Sequence, residues 1–285
     1  MRYMFLRFPE GKSKAVTLSY DDGVRADLKL AEILDKYGIK ATFNINSDYI
    51  GANPGKLTAD EIRKHLLDKG HEVAVHGAKH IAPGIGKPVT VITDVLNCRL
   101  TLEKTFDRFI RGMAYPDSGI TRMYGDNTYA TVREYLKDLG IVYARTLGGD
   151  NNSFTLPSDF FAWMPTAHHN NPNLKEWTKQ FVERNANDRY SAARYPTLFY
   201  LWGHSYEFDN NQNWNVIEEF CTEIGNKEDT WYATNIDIYE YVTAYNALII
   251  SADSSKIYNP TLKTVWVDID GKGYCIASNE TLTLA

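Results

Sequence analysis

The sequence predicts a parallel α/β fold, of which a closed barrel is the simplest form, because short β-rich segments alternate with amphipathic helical segments over most of the chain. The first unit shows the pattern. "AVTLSY" has the composition of a buried strand, and "ADLKLAEILDKYG" repeats apolar residues at helical spacing until Gly38 ends it. The segment after Ser251 lacks this alternation and is predicted to form short strands only.

The remaining units follow in chain order. Strands are predicted at "KATFNIN", "HEVAVH", "GMAYP", "IVYAR", "FFAWMP" and "TLFYLW", because each is a short apolar run between helical segments or turn residues. A helix is predicted at "LTADEIRKHLLDKG", where Thr58 and Glu61 have the spacing of a capping box. Further helices are predicted near residues 90–109, 127–139, 174–185 and 214–224.

Two regions are expected from this change of pattern. Residues 1–250 are predicted to form the barrel, and residues 251–285 a small β-strand extension packed on it. Within the extension, "DGKG" supplies the turn chemistry of a hairpin.

Composition limits the partners of the chain. A formal net charge of -5 and the lack of a Lys/Arg-rich run argue against a nucleic-acid partner. Three widely spaced cysteines suggest neither a disulfide framework nor a metal knuckle. No segment approaches the roughly 20 apolar residues of a membrane span. The N-terminal segment lacks an apolar run of signal-peptide length. The chain as written is expected to be cytoplasmic, and an extracellular protein is the alternative if an export signal was removed.

Polar residues collect where the predicted strands end, which is the edge that carries the active site in parallel β/α folds. The first strand ends in two adjacent carboxylates, Asp21 and Asp22, and "HEVAVH" ends at His76, with His80 four residues later. Adjacent anions raise each other's proton affinity unless a cation or a proton relieves them. Two histidines and one carboxylate form the ligand set of catalytic zinc and related metals. The sequence therefore predicts a metal site.

Asp22 is the natural third ligand beside the two histidines, which leaves Asp21 free to take a proton from a metal-activated water. Zn²⁺ is the expected ion, with Co²⁺ or Ni²⁺ as alternatives. A simpler interpretation is that both histidines are ordinary loop residues and that the two carboxylates only cap the first helix.

These stretches resemble the motifs of polysaccharide deacetylases of the NodB homology type, also called carbohydrate esterase family 4. "LSYDDG" is similar to the family's T-x-D-D motif, and "HGAKH" is similar to H-S-x-x-H, with Gly77 where serine is commoner. "LWGHS" is similar to the Leu-x-His motif, with one extra residue between Leu201 and His204. The resemblance covers most of the chain up to about Ser251 and implies a distorted (β/α)7-type barrel, of roughly seven β/α units.

The resemblance also implies the roles of individual residues. Those roles are catalytic base for Asp21, metal ligand for Asp22, His76 and His80, and general acid for His204. A nitrogen leaving group needs a proton, and the pKa of histidine, about 6.5, suits that task. A hydrogen-bonded histidine at a strand end is the alternative for His204. Leu201 or Trp202 would line the pocket that holds the acetyl methyl group.

Two other family motifs are altered. In "MAYPDSG", Ala114 stands where the family has an arginine that orients the base, and the backbone amide near Asp117 is a candidate to hold the oxyanion. Arg145, which closes "IVYAR", is a candidate to reach Asp21 instead, and a surface or helix-pairing arginine is the alternative. The family's Asp and Trp pair has only loose candidates here, namely Asp150, Asp159 and Trp163, of which Trp163 is favoured for the pocket wall.

Substrate binding is accordingly expected from Tyr115, Pro116, Asp117, Arg145, Trp163, Leu201 and Trp202. His168 and His169 are interpreted as facing substrate, and neither is assigned to the metal. Glu207 and Asp209 are expected either to bind sugar hydroxyls or to cap the following helix.

The sequence thus predicts a metal-dependent hydrolase that removes acetyl groups, N-acetyl or also O-acetyl, from an oligo- or polysaccharide. A first alternative is a hydrolase of a non-sugar amide, such as a cyclic ureide or imide, with which the altered motifs are compatible. A second is a non-catalytic carbohydrate-binding protein that keeps the metal for stability. The presence of both Asp21 and His204 argues against the second, because a binding module needs neither.

Overall fold

A curved parallel sheet forms the centre of the fold in the computed structural model, which describes residues 2–185 and 194–284. Strand β1 (Met4–Arg7) precedes this sheet along the chain and is not part of it. The described strands of the sheet are β2 (Lys14–Asp21), β3 (Ala41–Ile45), β4 (Glu72–Val75), β5 (Gly112–Ala114), β6 (Tyr143–Arg145), β7 (Ala167–His168), β8 (Thr197–Gly203) and β9 (Thr230–Tyr232). The order is β6-β5-β4-β3-β2-β8-β7, and β9 also pairs with β2. The predicted distorted (β/α)7-type barrel is confirmed.

The two edges of this sheet are linked through a short stretch of irregular chain. The N–H of Trp163 donates to the carbonyl of Ala144 in β6 at 3.2 Å, and the N–H of Thr166 donates to the carbonyl of Tyr200 in β8 at 2.7 Å. The prediction of a strand at "FFAWMP" is therefore wrong, because its first part is a 3₁₀ turn, Phe160–Ala162, and Trp163 makes a single bridge with Arg145.

Helices cover the outside of the sheet. The described helices are α1 (Ala26–Lys36), α2 (Ala59–His65), α3 (Pro88–Phe106), α4 (Tyr129–Asp138), α5 (Leu174–Glu183), α6 (Tyr206–Asn210), α7 (Asn215–Ile224) and α8 (Asn235–Asn246). The predicted capping box is confirmed, since the Thr58 side chain accepts from the N–H of Glu61 and the Glu61 side chain accepts from the N–H of Thr58. Sequence reasoning missed β1, β7, β9, α6 and α8. No helix among the described residues is long and apolar enough to cross a bilayer.

The side chains of β2 alternate between two layers, as strand geometry requires. Leu18 and Tyr20 pack outward in the core cluster that contains the apolar faces of the helices. Ala15 packs inward, in a second cluster that includes Trp163 and Tyr200. By the same alternation, the side chain of Asp21 faces the interior of the barrel at the carboxyl end of the strands.

The C-terminal segment consists of short antiparallel strands. They are β10 (Ile249–Ile250), β11 (Lys256–Tyr258), β12 (Val265–Ile269), β13 (Lys272–Ile276) and β14 (Thr281–Thr283). The turn between β12 and β13 is formed by Asp270 and Gly271, which both have positive φ, of 54° and 89°, as a two-residue hairpin turn of type I′ requires. Because β1 pairs with β12, the N-terminal strand lies with this segment, and the division of the chain near residue 250 stays a prediction.

Candidate active site and metal centre

The two adjacent carboxylates at the end of β2 take different partners. Asp22 has a left-handed φ of 82°, a conformation that aspartate tolerates better than most residues. Its backbone is held there, because its N–H donates to the carbonyl of Asn44 at 3.0 Å and its carbonyl accepts from Lys56 Nζ at 2.8 Å. This turn directs Asp22 toward the two histidines while Asp21 stays inside the barrel.

Asp22, His76 and His80 converge as the sequence predicts. Asp22 Oδ1 lies 3.7 Å from His76 Nε2 and 3.7 Å from His80 Nε2. One ligand atom from each of the three residues lies within 4.8 Å of the other two. Two ligands bound 2.0–2.1 Å from one tetrahedral zinc are roughly 3.3 Å apart, so small side-chain movements would suffice to close the set around an ion.

His76 is held in the tautomer that a metal ligand needs. Its Nδ1 lies 2.9 Å from the carbonyl of Ala114, an acceptor only, so Nδ1 carries the proton and donates. Its Nε2 is buried and has no hydrogen-bond partner among the described residues. Burial lowers the pKa of His76 and outweighs the neighbouring carboxylates, which keeps Nε2 unprotonated. A buried, unpartnered lone pair aimed at Asp22 and His80 fits a divalent ion.

The loop between the two histidines is shaped for this convergence. Gly77 has a φ of +73°, and a Cβ there would lie 2.4 Å from Asp94 Oδ2, so the serine of the family motif would not fit without rearrangement. Asp94 Oδ1 accepts from the N–H of Lys79 at 2.8 Å, and His80 has a left-handed φ of 60°. Asn46 Nδ2 donates to the carbonyl of His76 at 2.5 Å. The loop is therefore fixed by hydrogen bonds on both sides.

Asp21 is buried, with an exposed fraction of 2%, and both of its oxygens are held. Oδ1 accepts from Asn44 Nδ2 at 2.8 Å, and Oδ2 accepts from Arg145 Nη2. Burial by itself would raise the pKa of Asp21, but Arg145, His76 and His204 together outweigh it and lower that pKa below its ordinary value. Of the two alternatives for Arg145, contact with Asp21 is the one observed. Arg145 reaches Asp21 from the end of β6, whereas the family's arginine would stand at Ala114 in β5.

His204 lies on the other side of Asp21. Its Nε2 is 3.9 Å from Asp21 Oδ2, and its Nδ1 is 2.8 Å from Glu207 Oε1. Burial acts to lower the pKa of His204, but Glu207 and Asp21 outweigh burial and raise it above the ordinary value. Sequence reasoning missed this role of Glu207. The signal that could have found it is the three-residue spacing at the start of α6, which places the two side chains on one face.

A cavity of about 470 Å³ opens above these residues, and its walls include His76 and His80, both carboxylates, Arg145 and His204. Of the predicted substrate-binding residues, Tyr115, Asp117 and Trp202 also line it. The Arg145 guanidinium stacks over the Trp202 ring at 4.4 Å, which holds the indole in the wall. Asp117 has a left-handed φ of 49°, and its N–H makes no hydrogen bond to residues 2–185 or 194–284.

The other predicted pocket residues lie elsewhere. Leu201 is fully buried in the outer core cluster, because residues of β8 alternate and Leu201 points opposite to Trp202. Trp163 packs in the inner cluster against Tyr143 and Tyr200, below the cavity. Pro116 is buried in a turn and accepts from the N–H of Gly119 at 2.9 Å. The predictions that Leu201, Trp163 and Pro116 line the pocket are therefore corrected. Of Leu201 and Trp202, it is Trp202 that lines the cavity.

The two remaining candidates for the family's Asp and Trp pair, Asp150 and Asp159, do not line the cavity either. Asp159 accepts from Tyr129 Oη at 2.5 Å and from the N–H of Phe161 at 2.9 Å. Asp150 accepts from Asn171 Nδ2 at 2.9 Å. Neither contacts His204, whose partner is Glu207.

The parallel barrel and the Asp-His-His cluster at its carboxyl edge are accompanied by similarity to known proteins. The sequence profile described as polysaccharide deacetylase matches residues 9–144. This match confirms the resemblance to the NodB homology type over a segment of slightly less than half of the chain. The matched segment contains Asp21, Asp22, His76 and His80 and ends before His204.

Solved structures with the same fold include members of this family. A protein described as a polysaccharide deacetylase from Mycobacterium smegmatis has a TM-score of 0.57 and 17% identity, over 86% of this chain and 96% of that one. A protein described in the same way from Pseudomonas aeruginosa PAO1 has a TM-score of 0.54 and 13% identity, over 82% and 92%. Puue allantoinase has a TM-score of 0.57 and 14% identity, also over 82% and 92%. At these identities the likeness shows the fold alone. A comparison with proteins of curated function returned no match.

Proposed function

We propose that the protein is a metal-dependent hydrolase that removes acetyl groups from an acetylated oligo- or polysaccharide. The observation that carries this proposal is the placement of two proton-transfer groups around one cavity beside the Asp22, His76 and His80 cluster. Asp21 and His204 lie 3.9 Å apart there, and their pKa values are shifted in opposite directions. Such a pair supplies one base and one acid at neutral pH.

Asp22, His76 and His80 would hold the divalent ion, for which Zn²⁺ is the best fit because two of the three donors are imidazoles. When bound, such an ion lowers the pKa of a coordinated water and polarises an acyl oxygen. The tautomer of His76, fixed by Ala114, prepares this site before the ion arrives.

The protein groups divide the remaining work. Asp21, whose pKa is lowered by Arg145, His76 and His204, accepts the proton of the attacking water. Arg145 and Asn44 fix its carboxylate in place. The N–H of Asp117 is available to donate to the oxyanion, a contact of the kind that stabilises tetrahedral intermediates. His204, whose pKa is raised by Glu207 and Asp21, donates its proton to the leaving nitrogen. Trp202 supplies an apolar wall for the acetyl methyl group.

Acetate release tests the proposal. The protein supplied with Zn²⁺ or Co²⁺ is expected to release acetate from at least one of N-acetylglucosamine oligomers, peptidoglycan fragments or acetylated xylan. A chelator is expected to abolish that release, and restored metal to recover it. Acetate release that is equally fast in the presence of the chelator would contradict the proposal. So would the absence of acetate release from every substrate when the protein has metal bound.

A second prediction concerns the leaving group. Replacing His204 by asparagine is expected to slow N-acetyl hydrolysis by about 10²-fold, because an amine cannot leave without a proton. An activated aryl acetate, whose leaving group departs as an anion, should be slowed far less. The ratio of the two rates in wild type and His204→Asn measures this directly. Equal losses on both substrates would exclude His204 as the general acid.

A hydrolase of a cyclic ureide remains the second candidate. Two observations favour it: an allantoinase shares the fold with a TM-score equal to that of the first deacetylase, and the arginine beside the base, Arg145, comes from a different strand end than in the deacetylase motif. Opening of an allantoin-type ring without acetate release from any sugar would select it.

A further inference from the structure

A second cluster of metal-ligating side chains lies beside the general acid. His168 is the last residue of β7, and its Nε2 lies 3.3 Å from Glu207 Oε2. His204 Nδ1 lies 2.8 Å from the other oxygen, Oε1. One ligand atom from each of the three residues lies within 4.8 Å of the other two. None of the three belongs to the Asp22, His76 and His80 cluster.

The orientation of His168 suits a ligand. Its Nδ1 accepts from the N–H of Asn170 at 3.1 Å, so Nδ1 is unprotonated and Nε2 faces the carboxylate. The separation of 3.3 Å between His168 Nε2 and Glu207 Oε2 equals the roughly 3.3 Å expected of two ligands on one tetrahedral zinc. Zinc can thus replace the proton between them with little movement of either side chain.

The surroundings hold the carboxylate and leave a path to it. Asn170 Nδ2 donates to Glu207 Oε2 at 2.8 Å, and the buried His169 places Nε2 3.0 Å from the same oxygen. The side chains of His168, Glu207 and His204 keep exposed fractions of 22%, 22% and 23%. An ion can therefore enter from solvent without opening the core.

We propose that His168, His204 and Glu207 form a second Zn²⁺ site, weaker than the first, at which excess zinc inhibits the enzyme. The site is weaker because zinc must displace existing hydrogen bonds of Glu207 and His204, whereas His76 Nε2 in the first site has none to lose. Imidazole donors favour Zn²⁺ over Mg²⁺ or Ca²⁺.

The inhibition follows from the chemistry of His204 and rests on the proposed function. The acid form of histidine carries protons on both ring nitrogens. With zinc on Nδ1, the doubly protonated ring cannot form, and the remaining Nε2–H is a far weaker acid. The leaving nitrogen then lacks its proton donor.

Metal stoichiometry tests the site independently of any substrate. Metal-free protein is titrated with Zn²⁺ by calorimetry, and bound zinc is counted by elemental analysis. Wild type is expected to bind two equivalents, and His168→Asn to bind the first as before while the second weakens by roughly tenfold or more, since even indirect metal contacts are worth that much. His65→Asn, which changes a half-exposed histidine on α2, should retain both. Retention of the first equivalent shows that the His168→Asn protein is folded.

Two outcomes would overturn the site: one equivalent in wild type, or an unchanged second equivalent in His168→Asn. The inhibitory role is tested separately by measuring the rate of acetyl hydrolysis as zinc is added. The rate of each variant is compared with the rate of the same variant at one equivalent of zinc. Excess zinc should inhibit wild type, and the midpoint should rise by roughly tenfold or more in His168→Asn. Two equivalents without inhibition would overturn the inhibitory role. An inactive protein that still binds two equivalents would contradict the proposed function and leave the second site standing.

Discussion

Replacement of Asp21 by asparagine is expected to lower the rate of acetyl hydrolysis by about 10³-fold, within the range found for loss of a general base, while the tightly bound metal stays in place. Asparagine keeps the size of the side chain and the contact with Asn44, but it cannot accept the proton of the attacking water. His76 Nε2 lies 3.7 Å from Asp22 Oδ1 and 4.0 Å from Asp21 Oδ2, and His80 Nε2 lies 3.7 Å from Asp22 Oδ1. Acetate release and bound zinc, measured on the same samples, check both halves of the prediction.

The same replacement has a structural cost that must be separated from the loss of rate. Arg145 is buried and loses its ionic partner, which typically lowers the free energy of unfolding by about 3 to 5 kcal/mol. The double variant Asp21→Asn, Arg145→Gln removes the unpaired charge and should recover part of that stability. It should recover none of the activity. Activity restored in the double variant, or zinc lost from Asp21→Asn, would contradict the division of the two carboxylates into base and ligand.

Most of the candidate metal centre could be predicted from the sequence because its residues are close to one another along two short stretches. Asp21 and Asp22 end one strand, and His76 and His80 flank one loop, so local spacing and strand order determine where they meet. The tautomer of His76 could not be predicted, because it depends on the carbonyl of Ala114 on the next strand.

The acid side of the site was predicted less completely. His204 lines the cavity, as its motif predicts, but the extra residue in "LWGHS" made the identity of the pocket residue ambiguous. Strand alternation resolves it: Trp202 is two residues before His204 and shares its direction, whereas Leu201 points to the helices. Counting back from the histidine, instead of matching the family spacing, would have given Trp202.

Trp163 shows why tertiary pairing limits such predictions. Its stretch is apolar and aromatic, as a strand should be, yet only one residue of it pairs with β6. The indole ring of Trp163 fills the interior of the barrel beside the two sheet edges, where it packs on Tyr143 and Tyr200. Whether an aromatic residue fills a barrel or lines its mouth depends on how the sheet closes, which no local pattern contains.

Replacement of His80 by alanine is expected to weaken the tightly bound zinc by more than about 100-fold, because a direct ligand contributes more than the outer contacts that are worth 10- to 100-fold. Hydrolysis of the acetyl group should fall below detection at stoichiometric zinc. His80 has a third of its side chain exposed, so the change leaves no large cavity and the protein should still fold.

His65→Ala is the matched control, since it removes a half-exposed histidine from α2, away from the cluster. It should keep both the metal and the activity. Calorimetric titration with Zn²⁺ distinguishes the outcomes, because His80→Ala should retain only the weaker equivalent that we assign to His168, His204 and Glu207. A tight equivalent that survives in His80→Ala but disappears in His168→Asn would show that the main metal centre lies around Glu207. In that case Asp21 and Asp22 would need another explanation for their adjacent charges.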